Sequence, residues 1–518
     1  MYIEPNTIIR VLKNVPLDKT YDHTIYFDNS TAQANYFLGK TKFTFDRQTY
    51  QRVNKGSMKI ARQAEELYDC NYIMFQNSAF GSKWFYAFIT SVEYVNNSTS
   101  QITFEIDVMQ TWFFDYELGE SFVEREHSAT DLPWENTIPE NLELGEYVAD
   151  DFIGTEKGGT DALIVSATFY KDGDSYIDHT GGLYGGIFSG CYYTVFTGTS
   201  RFSDCASWID GAVAAGKADG IVNVFQMSSD FVTELGEGVN TYPLSIGISS
   251  TRMGVKGYEP RNKKLLCYPF NFLYVSNMQG NSAIFRYEFF KISGNAVQFM
   301  IVGDMSPDPS IVLAPYNYGF NFANEGNVVN YDEKITLKGF PQCSWNTDTF
   351  KAWLAQNGAS LAVNTLGGIL GAGASMAFAK SDAGAVGGAI AGFNAVAGTV
   401  AQVYEHAKMP SQAHGAQGNI TLAAVGLLDF AIMHKHIRDE YAKIIDDFFD
   451  MYGYATNRTK VPNRNVRPHW CFTKTASCVI HGSCPADDEK KICEIYNNGI
   501  TFWKNGDEVG NYSLDNRV

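Results

Sequence analysis

The feature that most restricts what this chain can fold into is a long segment almost without charge. Between Lys351 and Lys380 lie 28 uncharged residues, and between Asp382 and Glu405 lie another 22. The stretch from Ser360, SLAVNTLGGILGAGASMAFAKSDAGAVGGAIAGFNAVAGTVAQ, is almost half Gly and Ala and carries only Lys380 and Asp382 as charges. Crossing the hydrocarbon core of a membrane takes about 20 helical residues. Each arm is therefore long enough to cross once, with Lys380-Ser381-Asp382 as the polar turn. In the second arm Val386, Ile390, Phe393, Val396, Val400 and Val403 recur at three or four residues, a bulky stripe along one side of a helix. The other side carries Gly388, Ala391, Gly392, Ala395 and Gly398, a small-residue face that lets helices approach closely in lipid. The first arm has weaker periodicity. Its apolar positions are Leu361, Leu366, Ile369, Leu370, Met376 and Phe378, and Gly367 with Gly371 forms a second small-xxx-small pair.

Two features argue against a permanent anchor. Each interior Gly costs a helix roughly 1 kcal/mol relative to Ala, and Leu, Ile and Phe, which drive insertion, are sparse. Such sequence resembles fusion or pore-forming peptides, hidden in one state and inserted in another. The alternative is a helical hairpin buried in a large soluble domain, and hydrophobic periodicity does not separate the two.

The rest of the chain predicts a mainly β (α+β) protein. At 518 residues it is too long for one ordinary core, so two to four domains are expected. Over residues 1–120, TIYFDNSTAQANYF, KTKFTFDRQTYQRV, Asn71–Phe75 and KWFYAFITSVEYV alternate apolar and polar residues and read as strands. Asn96-Asn97-Ser98-Thr99 predicts a hairpin turn. A second β-rich block follows from about 160 to 340, with a helix expected near SDCASWIDGAVAAG. In HIRDEYAKIIDDFFDMYGY, Ile437, Tyr441, Ile444, Ile445, Phe448, Phe449 and Tyr452 mark an amphipathic helix stopped by Gly453. IYNNGITFW reads as a hairpin turning at Asn498-Gly499. The expected organisation is a β domain at 1–123, a connector at 124–159, a β-rich insertion at 160–345, the hydrophobic loop at 346–415, and a helix with closing strands at 416–518.

A formal charge of −17 argues against sequence-independent grip on nucleic acid, which needs clustered Lys and Arg. The start, MYIEPNTIIRVLKNVP, lacks a charged region followed by an apolar one, so no signal peptide is expected. Nine cysteines, an odd number, read as free thiols made in a reducing cytosol. No metalloprotease, nucleophile-elbow or phosphate-loop motif is present, and neither enzymatic activity nor a cofactor or metal is expected. Asp446-Asp447 falls on the polar side of the predicted helix, and neither it nor Asp487-Asp488-Glu489 reads as an acid/base pair. Cys471, Cys478, His481 and Cys484, with His469 nearby, have spacings foreign to zinc ribbons and read as buried thiols, zinc being the alternative. Asp172, Asp174 and Asp178 lack the Gly and distal Glu of a calcium loop and read as a polar turn. His434 and His436 read as surface residues at a helix start, with pH sensing as the alternative.

Several blocks resemble one family. They are NVPLDKTYDHTIYFDNSTAQANYF, TFEIDVMQTWFFDY and FVEREHSATDLPWENTIPE near the start, and YAKIIDDFFDMYGYATNRTKVPN, RPHWCFTKT and KICEIYNNGITFW near the end. In this order they are similar to the tail knob, or distal tail tube, proteins of small short-tailed bacteriophages of the phi29 type. The resemblance implies tail-tube-type β-barrel or sandwich units in a homo-hexameric hollow cylinder at the tail tip, with an insertion forming a broader outer part. It implies that a long hydrophobic loop, here about Lys351–Pro410, plugs the lumen and then leaves it to form a pore in the host cytoplasmic membrane. Implied partners are other tail proteins (the lower collar or proximal tail), viral double-stranded DNA passing an acidic lumen, that membrane, and a host cell-wall receptor. A receptor-binding adhesin working through aromatic loops such as GGLYGGIFSGCYY is the rival reading.

Overall fold

The structure is a computed structural model describing residues 6–48, 56–155, 158–178, 182–184, 187–189, 191–231, 245–251, 253–291, 296–304, 309–319, 328–340, 342–344, 416–417 and 428–518. It divides into two units. The first contains Met1–Glu146, Val255–Phe270 and Ile437–Val518, and the second contains Tyr147–Gly254 and Asn271–His436. The mainly β expectation holds in both.

In the first unit a six-stranded sheet runs in the order Thr41–Gln48, Thr7–Lys13, Cys70–Gln76, Phe85–Asn96, Thr99–Ile106, Ser57–Ile60. Alternation places Ile9 and Val11 in the core. The hairpin expected at residues 96–99 is present, with Asn96 opposite Thr99 and Asn97-Ser98 as its two-residue turn. A five-stranded sheet joins the two ends of the chain: His23–Ile25 runs parallel to Ile500–Trp503, followed by Trp470–Ser477, Ser121–Glu126 and Tyr454–Lys460. One hydrophobic cluster spans both ends, from Ile9, Phe37 and Tyr72 to Ile492, Tyr496 and Phe502. A second joins Val255, Leu265 and Phe270 to Ile437, Ala442, Ile445, Phe449 and Tyr454.

Two segments depart from the strand reading. STAQANYFLG is a helix, Ser30–Gly39, because the Asn29 side chain accepts from the Ala32 N–H at 2.9 Å and caps it. Gln33 and Phe37, one turn apart, are its buried face. Likewise Ala486–Asn498 is helical, with three acidic residues in its first turn and Ile492, Ile495 and Tyr496 buried. Gly499, at φ 96°, ends that helix by donating to Ile495 O and Tyr496 O rather than turning a hairpin. An Asn-Gly pair serves both purposes, since each needs positive φ.

In the second unit, Ala162–Ala167, Tyr192–Phe196, Ile221–Met227, Gln342–Ser344 and Ala416–Gln417 form one sheet. The expected helix, Arg201–Ala214, packs on it with Cys205, Trp208, Ile209 and Ala212 against Leu163, Val165 and Phe169. The rings of Phe169 and Trp208 stack at 5.3 Å. A four-stranded sheet (Tyr147–Gly154, Ala431–Ile437, Asn271–Ser276, Ser282–Phe285) pairs the unit's first strand with its last. Another holds Ser245–Thr251, Ala296–Asp304, Ser310–Pro315 and Ile335–Leu337. In its second strand Val297, Phe299 and Ile301 alternate into the core.

The amphipathic helix Asp439–Tyr452 ends at Gly453 as expected, but its facing differs. Ala442, Ile445, Asp446 and Phe449 are buried, whereas Ile444 is 66% exposed. Asp446 is not on a solvated face. Its carboxylate accepts from Tyr258 Oη at 2.6 Å, the Arg261 N–H at 2.7 Å, the Asn262 N–H at 2.9 Å and Asn262 Nδ2 at 2.8 Å. It thereby fastens the returning Val255–Phe270 segment to the helix within the first unit. Asp447, on the exposed side, pairs with Arg261. The expected destabilisation from Asp446→Ala is on the order of 3 kcal/mol, because the buried Asn262 N–H and the part-buried Tyr258 and Arg261 donors lose this acceptor. Asp447→Ala should stay near wild type. Urea unfolding of both variants checks this, and equal effects would remove Asp446's special role.

His127, 2% exposed, is held on both ring nitrogens. The Phe472 N–H donates to Nδ1 at 2.7 Å, so Nε2 carries the proton and donates to Asp450 O at 3.0 Å. Protonation would turn Nδ1 from acceptor to donor against another donor. Burial, with Arg467 and Arg125 nearby, pulls the imidazole down from its ordinary 6.5 to about 3. A depressed folded value means the unfolded chain binds the extra proton first. Stability present above pH 6.5 is therefore lost as pH falls toward 3, on the order of 3 kcal/mol by pH 4. His127→Gln, which can offer the same acceptor and donor without titrating, should flatten this part of the stability–pH profile. Chemical unfolding at pH 7 and pH 4 measures it, and an unchanged slope would exclude His127 as the source.

Candidate functional site: a hydrophobic insertion and its base

The arm positions from Leu361 to Val403, together with the surrounding residues 345–415, lie outside the described residues. Their base does not. Gln342–Ser344 and Ala416–Gln417 pair antiparallel, with Gln342 opposite Gln417 and Cys343 opposite Ala416. Opposed Cα atoms in such pairs are about 5 Å apart, so the segment leaves and rejoins one sheet at the same place. Gln342–Ser344 is in turn hydrogen-bonded to Ile221–Met227, with Asn223 opposite Ser344 and Phe225 opposite Gln342. Ala416–Gln417 is the last strand in the order. The two strands that flank residues 345–415 therefore lie at the margin of a sheet whose Ala162–Ala167 and Ile221–Met227 strands pack with the Arg201–Ala214 helix. The charge pattern that reveals the insertion says nothing of this base, whose short strands lie beside long uncharged sequence and have no periodicity of their own.

A second closure surrounds the first. Tyr147–Gly154 and Ala431–Ile437 are neighbours in one sheet, so the second unit begins and ends on adjacent strands. Among the described residues no helix is long and apolar enough to cross a membrane.

The other sequence candidates resolve as follows. Asp172 and Ser175 close a hairpin whose turn is Gly173-Asp174, and Asp178 pairs with Lys217 at 2.6 Å, a polar turn as read. Asp488 accepts from Trp112 Nε1 at 2.8 Å, so that acidic run serves a helix start and a tryptophan. Cys471, Cys478, His481 and Cys484 do not gather their ligand atoms within reach of one ion. The Cys471 thiol is fully buried and donates toward Asn463 O at 3.5 Å, and Cys478 interacts with Cys493 instead. Burial pushes both the Cys471 and Cys478 thiols up to about 12, away from the thiolate that metals bind. His434 and His436 are not surface residues. They lie buried on the strand Ala431–Ile437, beside Asp150, a grouping that only the His-x-His spacing in AIMHKHI could have signalled.

Residues 238–517 match the family described as the C-terminal domain of the Bacillus phage phi29 tail knob protein gp9. Residues 5–117, which contain the six-stranded sheet, match the N-terminus of caudoviral major tail proteins. The chain is 27% identical to the tail knob protein gp9 of Bacillus phage PZA, with 99% of this chain and 98% of that protein covered. It is 25% identical to its counterpart in Bacillus phage phi29, at the same coverage. The fold is similar to that of the tail knob protein gp12 of bacteriophage C1, with a TM-score of 0.63 at 13% identity over 99% of both chains. The chain belongs to the phi29-type tail knob proteins and is a component of a phage tail.

Proposed function

We propose that this tail protein is the subunit of a homo-hexameric hollow conduit for DNA ejection, and that its hydrophobic insertion plugs the lumen and then leaves it to form a pore in the host cytoplasmic membrane. The observation that carries the reading is the closed base. Because the strands at both ends of the insertion pair side by side, a change of surroundings for the residues between them need not unpair those two strands.

Energetics and charge agree. Six copies of −17 sum to roughly −100, enough to repel phosphates from a lumen, so DNA slides without sticking. Six uncharged arms can bury one another inside a tube at about 25 cal/mol per Å² of apolar area. Moving into a bilayer then only has to match that burial. As helices the arms satisfy their backbone groups in lipid, and the Gly388 and Gly392 face permits close packing there.

Deleting Ser360–Gln402, a cut that leaves both strands of the base intact, should yield tails that assemble and adsorb to cells. Those virions should fail to eject DNA, and the purified variant should release dye from liposomes no faster than background. Normal ejection by the deleted virions would favour an adhesin. Electron microscopy of the purified protein should show a six-fold ring with a central channel of duplex width, and a solid particle would end the conduit reading.

A further inference from the structure

We propose that Asp150, His434 and His436 in the second unit bind a divalent cation of the zinc class, through two imidazole nitrogens and one carboxylate oxygen. One ligand atom from each of the three lies within 4.8 Å of the others. A four-coordinate ion about 2.0–2.2 Å from each donor sets its ligands roughly 3.3 Å apart, so the most widely spaced donors would draw together by up to about 1.5 Å on binding. His434 and His436 are two apart on one strand and share a face. Their ring centroids are 5.3 Å apart. Asp150 reaches them from the neighbouring strand, with Oδ2 at 2.7 Å from His436 Nε2.

The surroundings offer further groups that a metal could use. Asp150 contacts His436 directly, and a cation would bring His434 into the same cluster. Asn271, opposite His436 in the next strand, places Oδ1 at 2.6 Å from His434 Nε2, ready as an orienting partner or a fourth ligand. Tyr287 packs against the His434 ring at 6.0 Å and limits its movement. The histidines are 3% and 2% exposed, but the Asp150 side chain retains 11%, a route for the ion and for a coordinating water. Two imidazoles with one carboxylate select zinc-like ions over magnesium or calcium, which prefer all-oxygen sites. A bound ion would cross-link the first strand of the second unit to its last. Closing so long a loop is where such a clip stabilises most.

The full-length protein, stripped with a chelator, is titrated with zinc chloride in a calorimeter. One site per chain is expected, weakened at least tenfold in Asp150→Asn and in His434→Gln and unchanged in Cys478→Ala. Because the first two substitutions touch a buried site, cobalt(II) added to the wild-type protein gives a reading that does not depend on them. It should show visible ligand-field bands without the near-ultraviolet thiolate band. No saturable binding by the wild type, wild-type affinity in Asp150→Asn, or a thiolate band would overturn the proposal.

Discussion

Pairing between strands far apart in sequence is the constraint on which the molecule depends. His23–Ile25 lies beside Ile500–Trp503, Tyr147–Gly154 beside Ala431–Ile437, and Gln342–Ser344 beside Ala416–Gln417. Each pairing closes an excursion inside the one before it. The entropic cost of closing a flexible loop rises only logarithmically, about 0.6 kcal/mol for each doubling of length. A long insertion is therefore little more expensive than a short one once its ends find a ladder. This nesting lets one chain carry two compact units, the second inserted in the first, together with a long uncharged segment.

Buried polar groups then select one arrangement among many compact ones. Asp446, His127 and Glu140 in the first unit are nearly or wholly inaccessible, yet each is met by several partners. Glu140 alone takes Arg125, Lys264 and the Ala455 N–H. Gln33 and Gln110 similarly tie the Ser30–Gly39 helix to Val108–Thr111 and to Thr24 and Ile25. Such networks contribute modestly to net stability when complete and cost heavily when one member is lost. They therefore fix which segments meet more than how strongly they hold. In the second unit the His434–Asn271 and His436–Asp150 contacts link the Ala431–Ile437 strand to its two neighbours.

How far the sequence could be read depended on whether the deciding interaction was local. The Asn96–Thr99 hairpin, the Arg201–Ala214 helix and the stop at Gly453 follow from turn chemistry and periodicity within a few residues. The Ser30–Gly39 and Ala486–Asn498 helices were missed because short Tyr- and Asn-containing runs suit strand and helix alike, and a cap or a φ requirement decided between them. The two aspartates at 446 and 447 looked alike until the rotation of their helix was known. That rotation placed one in the core and the other in water.

The composition of residues 345–415, the acidic balance of the chain and its β-rich character are properties of residue type, legible without coordinates. So are the motif blocks at both ends, which by themselves carry the resemblance to the tail knob family. Where the hydrophobic insertion is tethered, which histidines are buried, and the sharing of one core by residues near 10 and near 500 could emerge only in three dimensions. The physical reason is that periodicity and capping act over a turn or a strand. Register and burial are settled by partners hundreds of residues away, which leave no mark on local sequence.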